Sequence, residues 1–206
     1  MGHQDIRSAR DRMLAGEPYE VPDPELMDLG NRARALLRRF NDTPTDRPAD
    51  RIATLRELLG RFGRSWIEPP FLVDYGVNIT IGDETFINMN CTFLDSHRIV
   101  IGNRTAIAPG VQLLTVGHPL HPAERYLDRP DDPDLPFRAV CVAKPVTIGN
   151  DVWLGAGVIV LPGVTIGDGT TIGAGSVVTR SIPPHVLAYG NPCRVIRPIG
   201  ERTVEI

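Results

Sequence analysis

"IGNDVW LGAGVI VLPGVT IGDGTT IGAGSV VTRSIP", residues 148–183, is the stretch whose reading decides the fold. An aliphatic residue leads every hexad: Ile148, Leu154, Val160, Ile166, Ile172 and Val178. The fifth place is small or β-branched, as Val152, Val158, Val164, Thr170 and Ser176, and a Gly or small polar residue often stands second. A period of six is not that of an α-helix, and hairpins keep no such strict repeat. It suits a coil of short parallel strands whose leading side chains stack inside while Gly, Asn and Asp turn the corners. No single hexad buries its own apolar side, whereas stacked coils do, so the repeat predicts a solenoid with one continuous core.

Working outward, the same period runs through "IGDETF INMNCT FLDSHR" from Ile81 and, after two extra residues, "IGNRTA IAPGVQ LLTVGH" from Ile101. The leaders are Ile81, Ile87, Phe93, Ile101, Ile107 and Leu113, with Thr85, Cys91, Thr105 and Val111 in the fifth place. Residues before about 65 follow a helical period instead. "DPELMDLGNRARALLRRFN" offers Asp23 as N-cap and Pro24 at the first helical position, then spaces Leu26, Leu29, Ala33, Leu36, Leu37 and Phe40 along one stripe. "PADRIATLRELLGRFG" places Ile52, Leu55, Leu58, Leu59 and Phe62 on one face, with glycines at its end. Arg32, Arg34, Arg38, Arg39, Arg51, Arg56 and Arg61 mostly fall off these stripes and read as a solvated face. The expected organisation is a helical segment over 1–66, a mainly β solenoid over 67–198 and a tail over 199–206.

The repeat stops after "LLTVGH" and resumes only at "KPVTIG". The intervening stretch, rich in Pro and Asp, is expected to leave the coil as an extruded loop over 119–143. His118 then stands on the last rung before the extrusion, held by rigid structure yet beside a cleft, as a general base requires. A turn histidine serving structure alone is the competing reading of the residues themselves. His121 follows a proline inside the loop and reads as structural or rim, while His3, His97 and His185 have no supporting pattern. No "GxSxG" elbow occurs, and Cys91 occupies a core slot, so a nucleophilic mechanism finds little support.

Composition bounds the rest. A chain of 206 residues with a formal net charge of −3 has no general basic field for nucleic acid. Three Cys, at 91, 141 and 193, are odd in number and lack CxxC spacing, which fits a reducing compartment rather than a disulfide framework or thiolate zinc site. The charged N-terminus and the absence of any run near the roughly 20 apolar residues of a membrane span predict a soluble, cytoplasmic protein with no membrane partner.

"RMLAGEPYEVPDPEL", "WIEPPFLVDYGVNITIG", "FINMNCTFLD", "TVGHPLHP", "KPVTIGNDVWLGAGVIVLPGVTIG" and "IGAGSVVTRSIPPHVLAYGNPCRVIR" occur in this order. Over nearly the whole chain they resemble the maltose, galactoside and nodulation-type sugar O-acetyltransferases of the hexapeptide-repeat superfamily. The resemblance implies a left-handed parallel β-helix and a homotrimer with sites between neighbouring coils. It also implies acetyl-CoA as co-substrate, no metal, and His118 as the catalytic base. It places the cofactor on Ala156, Ala174, Thr179, Arg180, Arg194 and Arg197, and the acceptor on Asp74 and Asp95, with Asn88 matching positions on both sides. Trp153 either walls the cofactor arm or packs on the coil exterior. Departures lie on the acceptor side, where Ser96 replaces an Asp, Phe86 a Tyr, and Cys141 a Glu found in maltose-type members, so the acceptor's identity is left open. Two other functions compete: a zinc hydratase of the carbonic anhydrase type drawing on His97, His118 and His121, whose spacing departs from the pattern expected, and a non-catalytic β-helix scaffold.

Overall fold

The computed structural model describes residues 7–127 and 137–200, so His3, loop residues 128–136 and tail residues 201–206 lie outside the described residues. The hexads wind into a parallel β-helix. Its first face holds Arg61–Phe62, Ile79–Ile81, Ile99–Ile101, Val146–Ile148 and Thr165–Ile166. The second holds Phe71–Val73, Cys91–Leu94, Gln112–Leu114, Ile159–Val160 and Val177–Val178. The third begins with Trp66–Ile67, Phe86–Ile87, Ala106–Ile107, Trp153–Leu154 and Thr171–Ile172, and ends in the antiparallel pair Val186–Gly190 and Cys193–Pro198.

Register stacks the hexad leaders directly on one another: Ile81, Ile101, Ile148 and Ile166 on one face, Ile87, Ile107, Leu154 and Ile172 on another, Phe93, Leu113, Val160 and Val178 on the third. Each is at most 1% exposed, so truncating one to Ala should cost about 2–5 kcal/mol through lost transfer energy and a cavity. The fifth-place residues Thr85, Cys91, Val158 and Ser176 are buried as well. One edge carries a ladder in which Asn103, Asn150 and Asp168 side-chain oxygens accept the backbone N–H of Asp83, Asn103 and Asn150 at 2.7–2.9 Å. The preceding glycine is a steric requirement: a Cβ on Gly102 would stand 2.6 Å from the Gly149 carbonyl oxygen on the next coil.

The coil begins earlier than the boundary at 67. Phe62 stacks on Ile81, Ile67 on Ile87 and Val73 on Phe93, forming a first turn whose irregular corners hide the period. Ahead of it, helix α1 (Ala9–Ala15) carries a Ser8/Asp11 capping box, a feature the sequence reading did not resolve. Helix α2 (Pro24–Asp42) starts as expected, with the Asp23 carboxylate accepting from Leu26 N at 3.1 Å, and α3 spans Pro48–Leu58. Leu36, Leu37, Phe40, Leu55 and Leu58 join the same apolar cluster as Phe71 and Ile79, so these helices close the end of the solenoid. Arg51 departs from the solvated-face expectation: it is buried, and its guanidinium donates twice to the Thr43 carbonyl.

The stretch expected as an extruded loop leaves the coil but does not stay irregular to residue 143. It forms the single turn α4 (Pro122–Arg125), and Ala139–Ala143 returns as the central strand of a small antiparallel sheet between Tyr19–Val21 and Val116–Gly117. The alternation in "AVCVA" explains the strand, since Ala139, Cys141 and Ala143 are buried while Val140 and Val142 are less so.

Candidate functional site

The first three corners from the second face to the first exceed the six-residue period: stacked Val73 leads to Ile81, Phe93 to Ile101, and Leu113 only to Ile148, whereas Val160 leads to Ile166 at the regular spacing. The lengthened corners stack, and the side chains of the site collect along that edge. Asp95 stitches two of them together: one carboxylate oxygen accepts from Tyr75 N at 2.8 Å, the other from Asn78 N at 3.2 Å, and its carbonyl accepts from the Asn78 amide at 2.7 Å. Thr115 ties in the third, its hydroxyl donating to the Leu94 carbonyl at 2.6 Å and accepting from His97 N at 2.8 Å.

His118 is exposed where the third corner departs. Its Nδ1 lies 2.8 Å from the Val140 carbonyl oxygen, with the Cys141 sulfur at 3.7 Å. A carbonyl only accepts, so Nδ1 carries the hydrogen in that bond and the lone pair resides on Nε2. The strand behind the ring therefore sets both its orientation and its tautomer.

Cys141 pairs across the small sheet with Tyr19. The Tyr19 phenol acts on the Cys141 thiol, and the Ser96 hydroxyl favours the ionised forms of both Tyr19 and Asp74. A line of polar side chains thus runs from Asp74 to His118 through Ser96, Tyr19 and Cys141. Burial, reinforced by the Asp95 charge, pushes Asp74 up to about 6 against the opposing Ser96 and Arg34. Burial also raises Tyr19, Tyr75 and Cys141, and keeps Asp95 well above the usual carboxylate range despite its backbone donors. A cavity of about 270 Å³ opens beside Asp74 and Tyr75, walled by α2 through Leu26, Gly30, Asn31 and Arg34.

Other residues singled out from the sequence divide between places. Thr179 and Arg180 are exposed further along the His118 edge. Asn88, Ala156 and Ala174 stack on a different edge, between the third and second faces, where Gly175 N donates to the Ala156 carbonyl at 2.8 Å. The Asn88 side chain accepts from Met89 N at 2.8 Å. Arg194 and Arg197 lie exposed on the last strand. Phe86 and Trp153 both lie on the outer side of the third face, where they pair with Ala106 from opposite sides.

Asp95 and Ser96, on the acceptor side by resemblance, sit deeper than their neighbours. Both are buried, Asp95 completely, and Asp95 has each carboxylate oxygen committed to a backbone donor. His121 caps α4 by accepting from Ala123 N, as its rim position implied. His97, which carried no sequence signal, is buried with Nδ1 accepting from Arg98 N, and its interaction with the Leu14 backbone ties the N-terminal segment to the corner. Burial lowers its pKa. The three histidines are engaged in three separate tasks, and among the described residues of the chain no group of three or more His, Cys, Asp or Glu is placed to hold a metal. Tyr75 and Arg34 line the cavity and Tyr19 lies beside Cys141; the sequence reading passed over both tyrosines and took Arg34 as part of a solvated face. The period-two run around Tyr19 is only three residues long, too short to declare a strand.

The chain matches the maltose acetyltransferase hexapeptide capping motif over residues 12–63 and the bacterial transferase hexapeptide repeats over 145–180. It is 44% identical to nodulation protein L of Rhizobium meliloti (strain 1021), across 92% of this chain and 98% of that protein. It also resembles the crystal structure of a maltose O-acetyltransferase from Clostridium difficile 630, at 40% identity with a TM-score of 0.86, covering 95% of this chain and 99% of that one. A galactoside acetyltransferase solved in complex with coenzyme A aligns with a TM-score of 0.84 at 36% identity, over 95% of this chain and 92% of that one. Matching at both the capping segment and the coil, over almost the full length of each relative, the chain belongs to the maltose, galactoside and nodulation-type acetyltransferases of the hexapeptide-repeat superfamily.

Proposed function

We propose that this protein transfers the acetyl group of acetyl-CoA to a hydroxyl of a sugar or sugar-like acceptor, by direct attack within a ternary complex. The observation that carries the reading is the bond from His118 Nδ1 to the Val140 carbonyl, which leaves Nε2 on an exposed ring as the proton acceptor. The acceptor oxygen attacks the thioester carbonyl as its proton passes to Nε2; the C–S bond then breaks and the imidazolium returns the proton to the departing thiolate. An acyl-enzyme is disfavoured because the three cysteines are buried, and burial raises each thiol, Cys91 to about 11.

Coenzyme A brings phosphates and a long arm. Arg180, Arg194 and Arg197, with Thr179, supply cations and a hydroxyl for the former, and the small exposed corners at Ala156 and Ala174 let the arm approach the backbone. The Ala156 amide is the proposed oxyanion donor. Residues 1–66 serve as the acceptor-side cap, consistent with Tyr19 and α2 lining the His118 edge. His118 and Ala156 occupy different edges of one coil, which favours a homotrimer whose sites form between neighbouring copies. Unpaired cysteines fit a cytoplasmic setting, and among the described residues no helix is long and apolar enough to cross a membrane. The test is thiol release from acetyl-CoA across a panel of sugars: turnover that depends on both the sugar and His118 supports the reading, and metal-dependent turnover without acetyl-CoA sinks it.

A further inference from the structure

Gly30 stands in the middle of α2, where glycine is among the poorest helix formers, yet it is buried. What covers it is Arg34, one turn on. A side chain in a helix leans toward the turn before it, and here the Arg34 guanidinium folds back so far that a Cβ at position 30 would stand 3.1 Å from Nη1 and 3.7 Å from Cζ. Nη1 also lies 3.4 Å from the Asn31 side-chain oxygen. An alanine at 30 requires the guanidinium end to give by a few tenths of an ångström, and a larger residue by more. The glycine therefore makes room for one particular placement of Arg34, over the cavity that Asp74 and Tyr75 line from the coil side. Arg34 is near enough to Asp74 for its charge to favour the ionised carboxylate.

We infer that Arg34 is a specificity-determining residue of the acceptor pocket, and that with Asp74 it holds adjacent hydroxyls of an uncharged sugar-type acceptor. This rests on the acceptor reading given above. A guanidinium offers only donors and a carboxylate mainly acceptors, so the pair matches neighbouring hydroxyls, each of which both donates and accepts. The charge balance sets the class. Asp74 offsets Arg34, and the other carboxylate at the pocket wall, Asp23, keeps its charge against the positive end of the α2 dipole, so neither an anionic nor a cationic acceptor meets a strong uncompensated charge. Asp74 also begins the polar line that ends at Cys141 behind His118, which places this pocket on the base's edge of the coil.

The experiment compares methyl glucoside, its glucuronide and its glucosaminide as acceptors at pH 8, with wild type, Arg34→Gln, Arg34→Lys and Gly30→Ala. Wild type should prefer the uncharged sugar. Arg34→Gln leaves Asp74 unbalanced, so the glucoside KM should rise about tenfold while the preference for the cationic glucosaminide over the glucoside rises by a similar factor. Acetyl-CoA KM should not move, and Arg34→Lys should restore much of the original preference. Gly30→Ala should keep or raise Tm while raising the acceptor KM, a combination that a merely structural glycine cannot produce. Turnover in all variants with an unchanged sugar preference overturns the role of Arg34 and leaves the acetyltransferase reading intact. A wild type that turns over none of the three sugars overturns the acceptor reading, and the role of Arg34 with it.

Discussion

His118 Nδ1 sits 2.8 Å from the carbonyl oxygen of Val140, on the same strand that pairs Cys141 with Tyr19 of the N-terminal segment. The ring is thus oriented by a backbone atom that no side-chain substitution removes. His118→Ala should lower kcat by about 100-fold or more, while the melting temperature moves little because the lost bond belongs to an exposed residue and contributes about 1 kcal/mol. His118→Asn retains a donor for the carbonyl but no base, and should lose as much activity. Asparagine with near-normal turnover would instead make this a turn residue and end the base assignment.

Asp74 yields a pH signature. Its folded-state pKa of about 6 lies above the ordinary value of 3.8, so between those two values the folded chain binds more protons than the unfolded chain. The sign follows: stability from this group is greatest below the ordinary value and declines as pH rises through 6. Asp74→Asn removes that loss, so the variant should be the more stable protein at pH 8, by at most about 3 kcal/mol at about 1.4 kcal/mol per unit, with the gap closing near pH 4. Melting curves of both proteins across pH 4–8 check this, and a variant less stable at pH 8 refutes it. The same substitution should weaken acceptor binding, as expected where function rather than stability maintains the carboxylate.

For Asp95 the expectation is reversed. It is fully buried and holds the amides of Tyr75 and Asn78, so Asp95→Ala orphans two donors and should cost about 2–4 kcal/mol. Its effect should appear as a fall in the denaturation midpoint before any change in acceptor KM. A normal midpoint with a raised KM would return Asp95 to direct substrate contact.

Why the surroundings of Ile148 are legible in the sequence and those of Asp95 are not is physical. A leader such as Ile148 is set by a local period of six, and the coil turns every copy of that period into the same buried rung. The hexads from Ile81 on were legible for that reason, as was the Asp23 cap of α2. Phe62, Ile67 and Val73 escaped because the first turn's corners vary in length, although the rungs they form are equivalent. The site is legible only in part. His118 is marked by the point where the period stops, but whether a carboxylate faces a substrate or its own backbone depends on how long corners stack, and Arg34 enters only because α2 lies against one of them.

Arg180 and Arg194 are exposed cations at the C-terminal end of the coil. If they pair with the cofactor's phosphates, each alanine variant should raise the acetyl-CoA KM about tenfold or more, through lost charge-assisted bonds worth about 1.5–3 kcal/mol, and leave the acceptor KM nearly unchanged. The effect should shrink at high salt, since exposed charges are screened. Donor KM values unchanged in both variants would move the cofactor groove elsewhere.

If the cofactor groove runs at Ala156 as proposed, its place on a different edge from His118 permits a test that separates a shared site from one complete in a single chain. His118 stands on the edge between the second and first faces, Ala156 on the edge between the third and second. His118→Ala lacks the proposed base; Ala156→Trp fills the exposed corner along which the cofactor arm is proposed to run. Each variant alone should be nearly inactive. In a trimer assembled from equal amounts of both, a site made by the His118 edge of one copy and the Ala156 edge of the next is intact whenever an Ala156→Trp copy supplies the histidine and a His118→Ala copy supplies the groove. Random assembly makes that about one interface in four, so co-refolding the two inactive proteins should recover roughly a quarter of wild-type activity. The tryptophan points away from the packed interior at this corner, so both variants should assemble, which light scattering verifies. A trimer that forms in the mixture yet stays inactive would place the base and the cofactor groove within one chain.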